Sequence, residues 1–227
     1  MQFLQNSTKG KRLFVGIAAA AALALPLAAC GSTSDSSSST TKTSVAKPAA
    51  SINALTGQDT AILLDKGFTD ALTSLKLTPG VVGNAKLTNG SLVFPITGGN
   101  VTYFKPGTAS PYVIGQIQHE GSGLSLTAGS TKVELTNFNV DPGVSRVYGD
   151  VLLNGKTVVN SAYLFTLNGS TLKPLQSSGS TAILEGTKVF ISPVAAALLN
   201  STFKTDAVTK DLLVGIATIT VNTTSGD

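Results

Sequence analysis

The sequence predicts a mainly β domain: a two-sheet antiparallel sandwich-like fold with two short helices set in repeated strand-helix-strand units. Three observations carry this expectation. From Ala85 onward apolar and polar residues alternate with period two in short segments. Turn signals such as Asn89-Gly90, Asn154-Gly155 and Asn168-Gly169 separate them, and these residues tolerate the positive φ angles that tight hairpins demand. Charged residues make up only 12% of the chain, while Thr, Ser, Gly, Val and Leu are abundant, a balance suited to an extracytoplasmic β domain. Two stretches depart from period two, each opening with a helix-capping residue.

The first of these follows a short alternating run, Thr60 to Leu64. Phe68, Ala71, Leu72 and Leu75 fall at i, i+3, i+4 and i+7, one face of a helix, with Asp65 as N-cap and Pro79-Gly80 as its end. Strands are then expected near Ala85–Leu87, Leu92–Ile96, Val101–Phe104, Tyr112–His119, Leu124–Thr127, Lys132–Val140, Arg146–Leu153, Lys156–Asn160 and Tyr163–Leu167. Gly121-Ser122-Gly123 reads as a hairpin turn between two of them. Val133 and Leu135 share one phase of their strand while Phe138 and Val140 share the other, which predicts a bulge near Asn137. In the last third, Thr187 to Leu199 repeats the plan of Thr60 to Leu72, with Ser192 as cap and Pro193 at the first helical position. Val214 to Thr220 then echoes Val82 to Thr88. Such a repeat would relate the two ends of the domain by a pseudo-twofold and close the two sheets.

The N-terminus has a different character. Lys9, Lys11 and Arg12 precede an apolar run from Leu13 to Leu27 that Pro26 interrupts. The run is shorter than the roughly 20 residues of a spanning helix, and small residues follow it, as in a signal peptide. Leu27-Ala28-Ala29-Cys30 closes the segment, and Cys30 is the sole cysteine of the chain, so no intramolecular disulfide can form. These residues resemble the bacterial lipoprotein signal. The resemblance implies cleavage before Cys30, lipid attachment at Cys30 and anchoring of an extracytoplasmic protein to a bacterial cell membrane through acyl chains. The implied organisation is a signal peptide over 1–29, a Ser/Thr-rich tether over 30–50, a single β-rich domain over 51–223 and a short tail over 224–227.

Removal of the signal peptide changes the charge. Sixteen basic residues stand against twelve acidic ones in the whole chain; without Lys9, Lys11 and Arg12 the balance is about +1. A near-neutral chain with no basic cluster offers no footing for nucleic acid.

Groups for catalysis are sparse. With one histidine and no cysteine beyond Cys30, a Ser-His-Asp arrangement could be built only on His119, and no nucleophile elbow follows a strand. The acids are scattered singly, which disfavours a metal site. Asp65, Asp70, Asp206 and Asp211 lie in or beside helical segments, where capping and solvation account for them. Glu120 and Glu134 could form a glycosidase pair only if facing strands brought them together. His119 shares a strand face with Val113, Gly115 and Ile117, opposite Gln116, Gln118 and Glu120. It is either a core or rim histidine satisfied by a backbone carbonyl, or a residue that touches a ligand. Tyr103, Tyr112, Tyr148 and Tyr163 read as ordinary strand aromatics.

Three further runs carry a resemblance: Phe94-Pro95-Ile96-Thr97-Gly98-Gly99; Gly115 to Gly121 leading to Leu124-Ser125-Leu126; and Val147-Tyr148-Gly149-Asp150-Val151. In this order they resemble the Htaa domain of actinobacterial surface proteins. The resemblance implies a two-sheet β fold that captures haem outside the cell, with a tyrosine on the first helix as iron ligand and a histidine supporting it. His119 matches that histidine, although the leucine that follows it stands one residue further away than in the family. The segment Phe68 to Leu75 has no tyrosine, so the iron ligand does not transfer.

The expectation for function is a lipid-anchored binding or structural module of the cell envelope without catalytic activity, metal or resident cofactor. Its partners would be the membrane and a small hydrophobic ligand or an envelope component. Capture of haem or another small hydrophobic ligand, with His119 as the candidate contact, is one alternative. An envelope hydrolase is the other.

Overall fold

The computed structural model describes residues 45–223. The signal segment, Cys30, residues 31–44 of the tether and residues 224–227 lie outside the described residues. Within the described part no helix is long and apolar enough to cross a membrane.

Among the described residues, thirteen strands and two helices follow in order. β1 (Ala50–Ile52) and β2 (Gln58–Leu64) lead into α1 (Lys66–Ser74), after which come β3 (Thr78–Gly83), β4 (Lys86–Thr88), β5 (Ser91–Pro95) and β6 (Gly98–Tyr103). The long strands β7 (Val113–Ala128), β8 (Thr131–Asp141), β9 (Arg146–Leu153) and β10 (Lys156–Asn168) form a meander. Then β11 (Gln176–Ser178), β12 (Thr181–Ile191), α2 (Pro193–Phe203) and β13 (Leu213–Asn222) complete the domain.

Local chemistry sets both helices. Asp65 Oδ1 accepts the Gly67 N–H at 2.7 Å, and α1 turns Phe68 and Leu72 inward, the face its spacing predicts. The helix ends at Leu75, before Lys76 with its φ of 55°, and Pro79-Gly80 belong to β3 instead of ending the helix. At α2 the Ser192 hydroxyl accepts from Ala195 N–H at 3.0 Å and donates to the Tyr163 carbonyl at 2.6 Å, while Pro193 occupies the first turn, where a missing N–H costs nothing. Ser192→Ala removes both bonds from a fully buried site. It is expected to destabilise the domain by about 2 kcal/mol in urea unfolding.

The hydrogen-bonded path is one antiparallel sheet in the order β1-β6-β7-β8-β9-β10-β12-β13-β2-β5-β4, with β11 on β12 and β3 on β7. The expected two-sheet sandwich therefore gives way to a single curled sheet, a half-barrel. Bent strands are the reason. Register shifts interrupt β7 against β8, β8 against β9, β9 against β10 and β12 against β13, and each bulge bends its strand so that one sheet can wrap a core. The curl brings distant parts of the path together at the β5–β6 junction. Ile96 N–H bonds to Gln58 on β2 and Thr97 N–H bonds to Gln118 on β7, both at 2.8 Å.

The bulge predicted near Asn137 is present. Asn137 has a φ of 53°, and its side chain accepts from Gly121 N–H and donates to Asp150, both at 2.9 Å. Gly121-Ser122-Gly123 is not a hairpin turn, because β7 continues through it with a shift in its register against β8. Its glycines serve the backbone instead: Gly121 has a φ of 69°, and a Cβ on Gly123 would stand 2.2 Å from the Leu135 carbonyl oxygen of β8. The strand-helix-strand pattern occurs twice, as β2-α1-β3 and β12-α2-β13, but the pairing differs. β13 returns beside β12, whereas β3 leaves β2 and pairs with β7. The pseudo-twofold is thus absent from the strand pairing.

Candidate functional site

Alternation along the strands puts every second side chain inside the curl, and these side chains do not fill it. A cavity of about 510 Å³ remains, within the roughly 300–1,000 Å³ span of small-molecule sites. Val101 and Tyr103 of β6, Phe138 and Val140 of β8, Phe165 and Leu167 of β10, and Ala217, Ile219 and Val221 of β13 line it at period two. The buried residues of the helices, Phe68, Leu72, Ala195, Ala196 and Leu199, belong to the packed core and take no part in the lining. One portion of the interior is therefore closed by helices while another is left open. Among the described residues no Lys, Arg, Asp or Glu lines it, and none of the described His, Asp and Glu residues group in threes that could hold a metal ion.

Buried aromatic rings mark the deep end. Phe94 meets Phe138 edge to face with centroids 5.2 Å apart, Phe138 meets Phe165 at 5.8 Å, and His119 lies 6.3 Å from Phe94. Such T-shaped contacts suit the positive ring edge against the negative face. Toward solvent the lining passes to uncharged polar groups, including Ser51, Ser145 and Ser170, which are exposed, and Tyr103 and Tyr112, which are half-buried. The two tyrosines meet edge to face at 6.3 Å, and burial together with Tyr103 beside it pushes the Tyr112 phenol up.

His119 sits where its strand phase predicts, on the inner face with Val113 and Ile117, and is 1% exposed. Nδ1 is 2.9 Å from the Pro95 carbonyl oxygen and Nε2 is 3.2 Å from Thr60 Oγ1. A carbonyl only accepts, so the proton is assigned to Nδ1. Nε2 then accepts from the Thr60 hydroxyl. The side chain is both a satisfied core histidine and part of the cavity wall. Burial pushes its pKa below the ordinary 6.5, against a smaller upward pull from the Pro95 and Phe94 backbone, so the imidazole is neutral in the folded state at neutral pH.

The unfolded chain takes up a proton near pH 6.5 and the folded chain resists it, so stability is full above that pH and declines as pH falls toward the depressed folded value. The unfolding free energy of the wild type in urea should fall from pH 7 to pH 5 with a slope of up to about 1.4 kcal/mol per pH unit from this group. His119→Phe should lose that part of the slope, and equal slopes would contradict the assignment.

Other candidate residues are not brought together. Glu134 lies opposite Ser125 and pairs with Lys132 at 2.7 Å, while Glu120 lies beyond the bulge on the exposed face. The five-residue offset separates the two carboxylates by about 16 Å along the strand direction, too far for a glycosidase pair. Ser122 donates to the His119 carbonyl at 3.0 Å, not to its ring. Tyr148 and Tyr163 do not line the cavity; they pack 6.1 Å apart with the Arg146 guanidinium 4.5 Å above the Tyr163 ring. Sequence reading passed over Thr60, Phe94, Phe138 and Phe165 as cavity residues. No local signal could have found them, since an inward residue has the same strand phase whether it meets a packed core or a void.

No protein-family model matches the chain, and no curated protein sequence matches it. Among solved structures, the chain is similar to the haem-binding protein HtaB from Corynebacterium glutamicum, at 8% identity over 76% of this chain and 96% of that chain with a TM-score of 0.47. It is also similar to the C-terminal domain of HtaA from Corynebacterium glutamicum, at 14% identity over 74% of this chain and 98% of that chain with a TM-score of 0.50. The curled β domain with two helices therefore has the fold of the HtaA C-terminal domain.

Proposed function

We propose that the domain captures a small apolar molecule in its half-barrel and holds it outside the cytoplasm, tethered through Cys30. The carrying observation is the cavity itself: about 510 Å³ of aliphatic and aromatic wall that a merely adhesive or structural module has no need to keep open. Unfilled volume is unfavourable, because side chains at a void lose their contacts, so a large apolar cavity with a few polar groups supports ligand binding. Titration with N-phenyl-1-naphthylamine, which fluoresces in apolar surroundings, is expected to saturate at one probe per chain. A signal that never saturates would oppose the reading.

Haem is one member of this ligand class and the one that the fold family suggests. The deep donor does not fit it, which leaves the phenols of Tyr103 and Tyr112 near the mouth as the other oxygen donors of axial type in the lining. Iron in haem proteins is held by an axial side chain, and the deep donor His119 has both ring nitrogens engaged by Pro95 and Thr60. The walls carry no cation to meet two propionates. Haemin is expected to bind weakly or not at all, with no Soret shift. A tight complex whose Soret band changes in His119→Ala would overturn that expectation.

One geometry speaks for the hydrolase alternative: Thr60 Oγ1, His119 Nε2 and the group behind Nδ1 form a hydroxyl-imidazole chain. The group behind Nδ1 is a neutral carbonyl where a triad has a carboxylate, and burial lowers the basicity of the ring, so little supports proton abstraction. No turnover of p-nitrophenyl esters above background is expected. For the anchor, Cys30→Ser should abolish lipid labelling and release the protein from the membrane fraction; retained lipid would contradict the proposal.

A further inference from the structure

Resting on the capture reading, we infer that the deep end of the cavity selects ligands that present an uncharged hydrogen-bond donor, a hydroxyl-bearing apolar molecule above all, over ligands with an ionised or acceptor-only polar end. The direction of the hydrogen bonds at Thr60 carries this. Pro95 offers a carbonyl, which fixes the proton on His119 Nδ1; Nε2, 3.2 Å from Thr60 Oγ1, is left as an acceptor and takes the only proton that the threonine hydroxyl has. Thr60 is 5% exposed, lines the cavity and makes no other side-chain hydrogen bond among the described residues. What its oxygen has left for a ligand is lone pairs.

A ligand hydroxyl reaching this point completes a chain of four groups, each donating to the next: ligand O–H, Thr60, His119 and the Pro95 carbonyl. An ether or ketone oxygen brings a second acceptor against an acceptor, and neither can donate. An ionised carboxylate or phosphate fares worse, since no Lys or Arg lines the walls and the ring beside Thr60 is neutral. Burying such a charge without a partner costs far more than one hydrogen bond returns. Polar contacts in the rest of the lining come from serine, threonine and tyrosine hydroxyls, so the chemistry of the whole site is uncharged. The occupant that fits is a neutral alcohol on a hydrocarbon or polycyclic body.

The test uses one apolar body with three polar ends: 1-pyrenebutanol, its methyl ether and 1-pyrenebutyric acid, titrated into the purified protein at pH 7.5 and followed by pyrene fluorescence. The alcohol is expected to bind about threefold to tenfold tighter than the ether, and the acid more weakly than the alcohol. Thr60→Val should bring the alcohol down to the level of the ether, and Thr60→Ser should restore the preference. Equal affinities of alcohol and ether for the wild type would overturn this inference while leaving capture standing, as would an acid that binds as tightly as the alcohol. Comparing the three probes on the wild type decides this even if Thr60→Val does not fold. If none of the three binds, the capture reading fails and takes the inference with it.

Discussion

Ala217→Trp is expected to weaken binding of N-phenyl-1-naphthylamine by at least about tenfold while leaving the urea midpoint near that of the wild type. Ala217 lies on β13 between Thr187 of β12 and Ile62 of β2, and all three residues line the cavity. Ala217 is a small residue of the cavity wall, so an indole there takes up room that the probe needs. In a close-packed core the same change would cost about 1–3 kcal/mol through overpacking. Growth into a void spares that cost and gains contacts. A destabilised domain with unchanged probe affinity would mean that Ala217 faces packed core and that the probe binds elsewhere.

The second large effect concerns stability. His119→Ala should destabilise the domain by about 3–4 kcal/mol, because it deletes a fully buried ring from the aromatic row with Phe94 and leaves the Pro95 carbonyl without its partner. Thr60→Val should cost about 1 kcal/mol. If the two side chains act through their mutual hydrogen bond, the double variant should cost less than the sum of the singles by about 1 kcal/mol in a double-mutant cycle. Strict additivity would show that Thr60 and His119 do not share a proton in solution.

Short-range features of this fold were legible in the sequence. Asp65 and Ser192 could be read as caps because each bonds to an N–H two or three residues on. The Asn154-Gly155 turn was legible because both residues take the positive φ that its hairpin needs, 50° and 78°. The Asn137 bulge announced itself as a change of phase. The inward placement of His119 followed from period two alone. What failed was everything set by partners distant in sequence. Gly121-Ser122-Gly123 has the composition of a turn, but Gly123 answers to the Leu135 backbone of β8, and Ser122 and Gly123 pair with β3, a strand that the sequence does not announce. One curled sheet in place of two followed from several register shifts acting together, of which the sequence shows only the one at Asn137. The cavity is a deficit of volume summed over many strands, and alternation cannot report it.

An apolar molecule held inside the curled sheet would be seen in a crystal structure of the protein soaked with 1-pyrenebutanol. Density is expected for the pyrene rings against Phe94, Phe138 and Ala217, with the butanol oxygen within hydrogen-bonding distance of Thr60 Oγ1. Density confined to the outer surface, with Phe138 and Phe165 collapsed across an empty interior, would contradict capture inside the sheet.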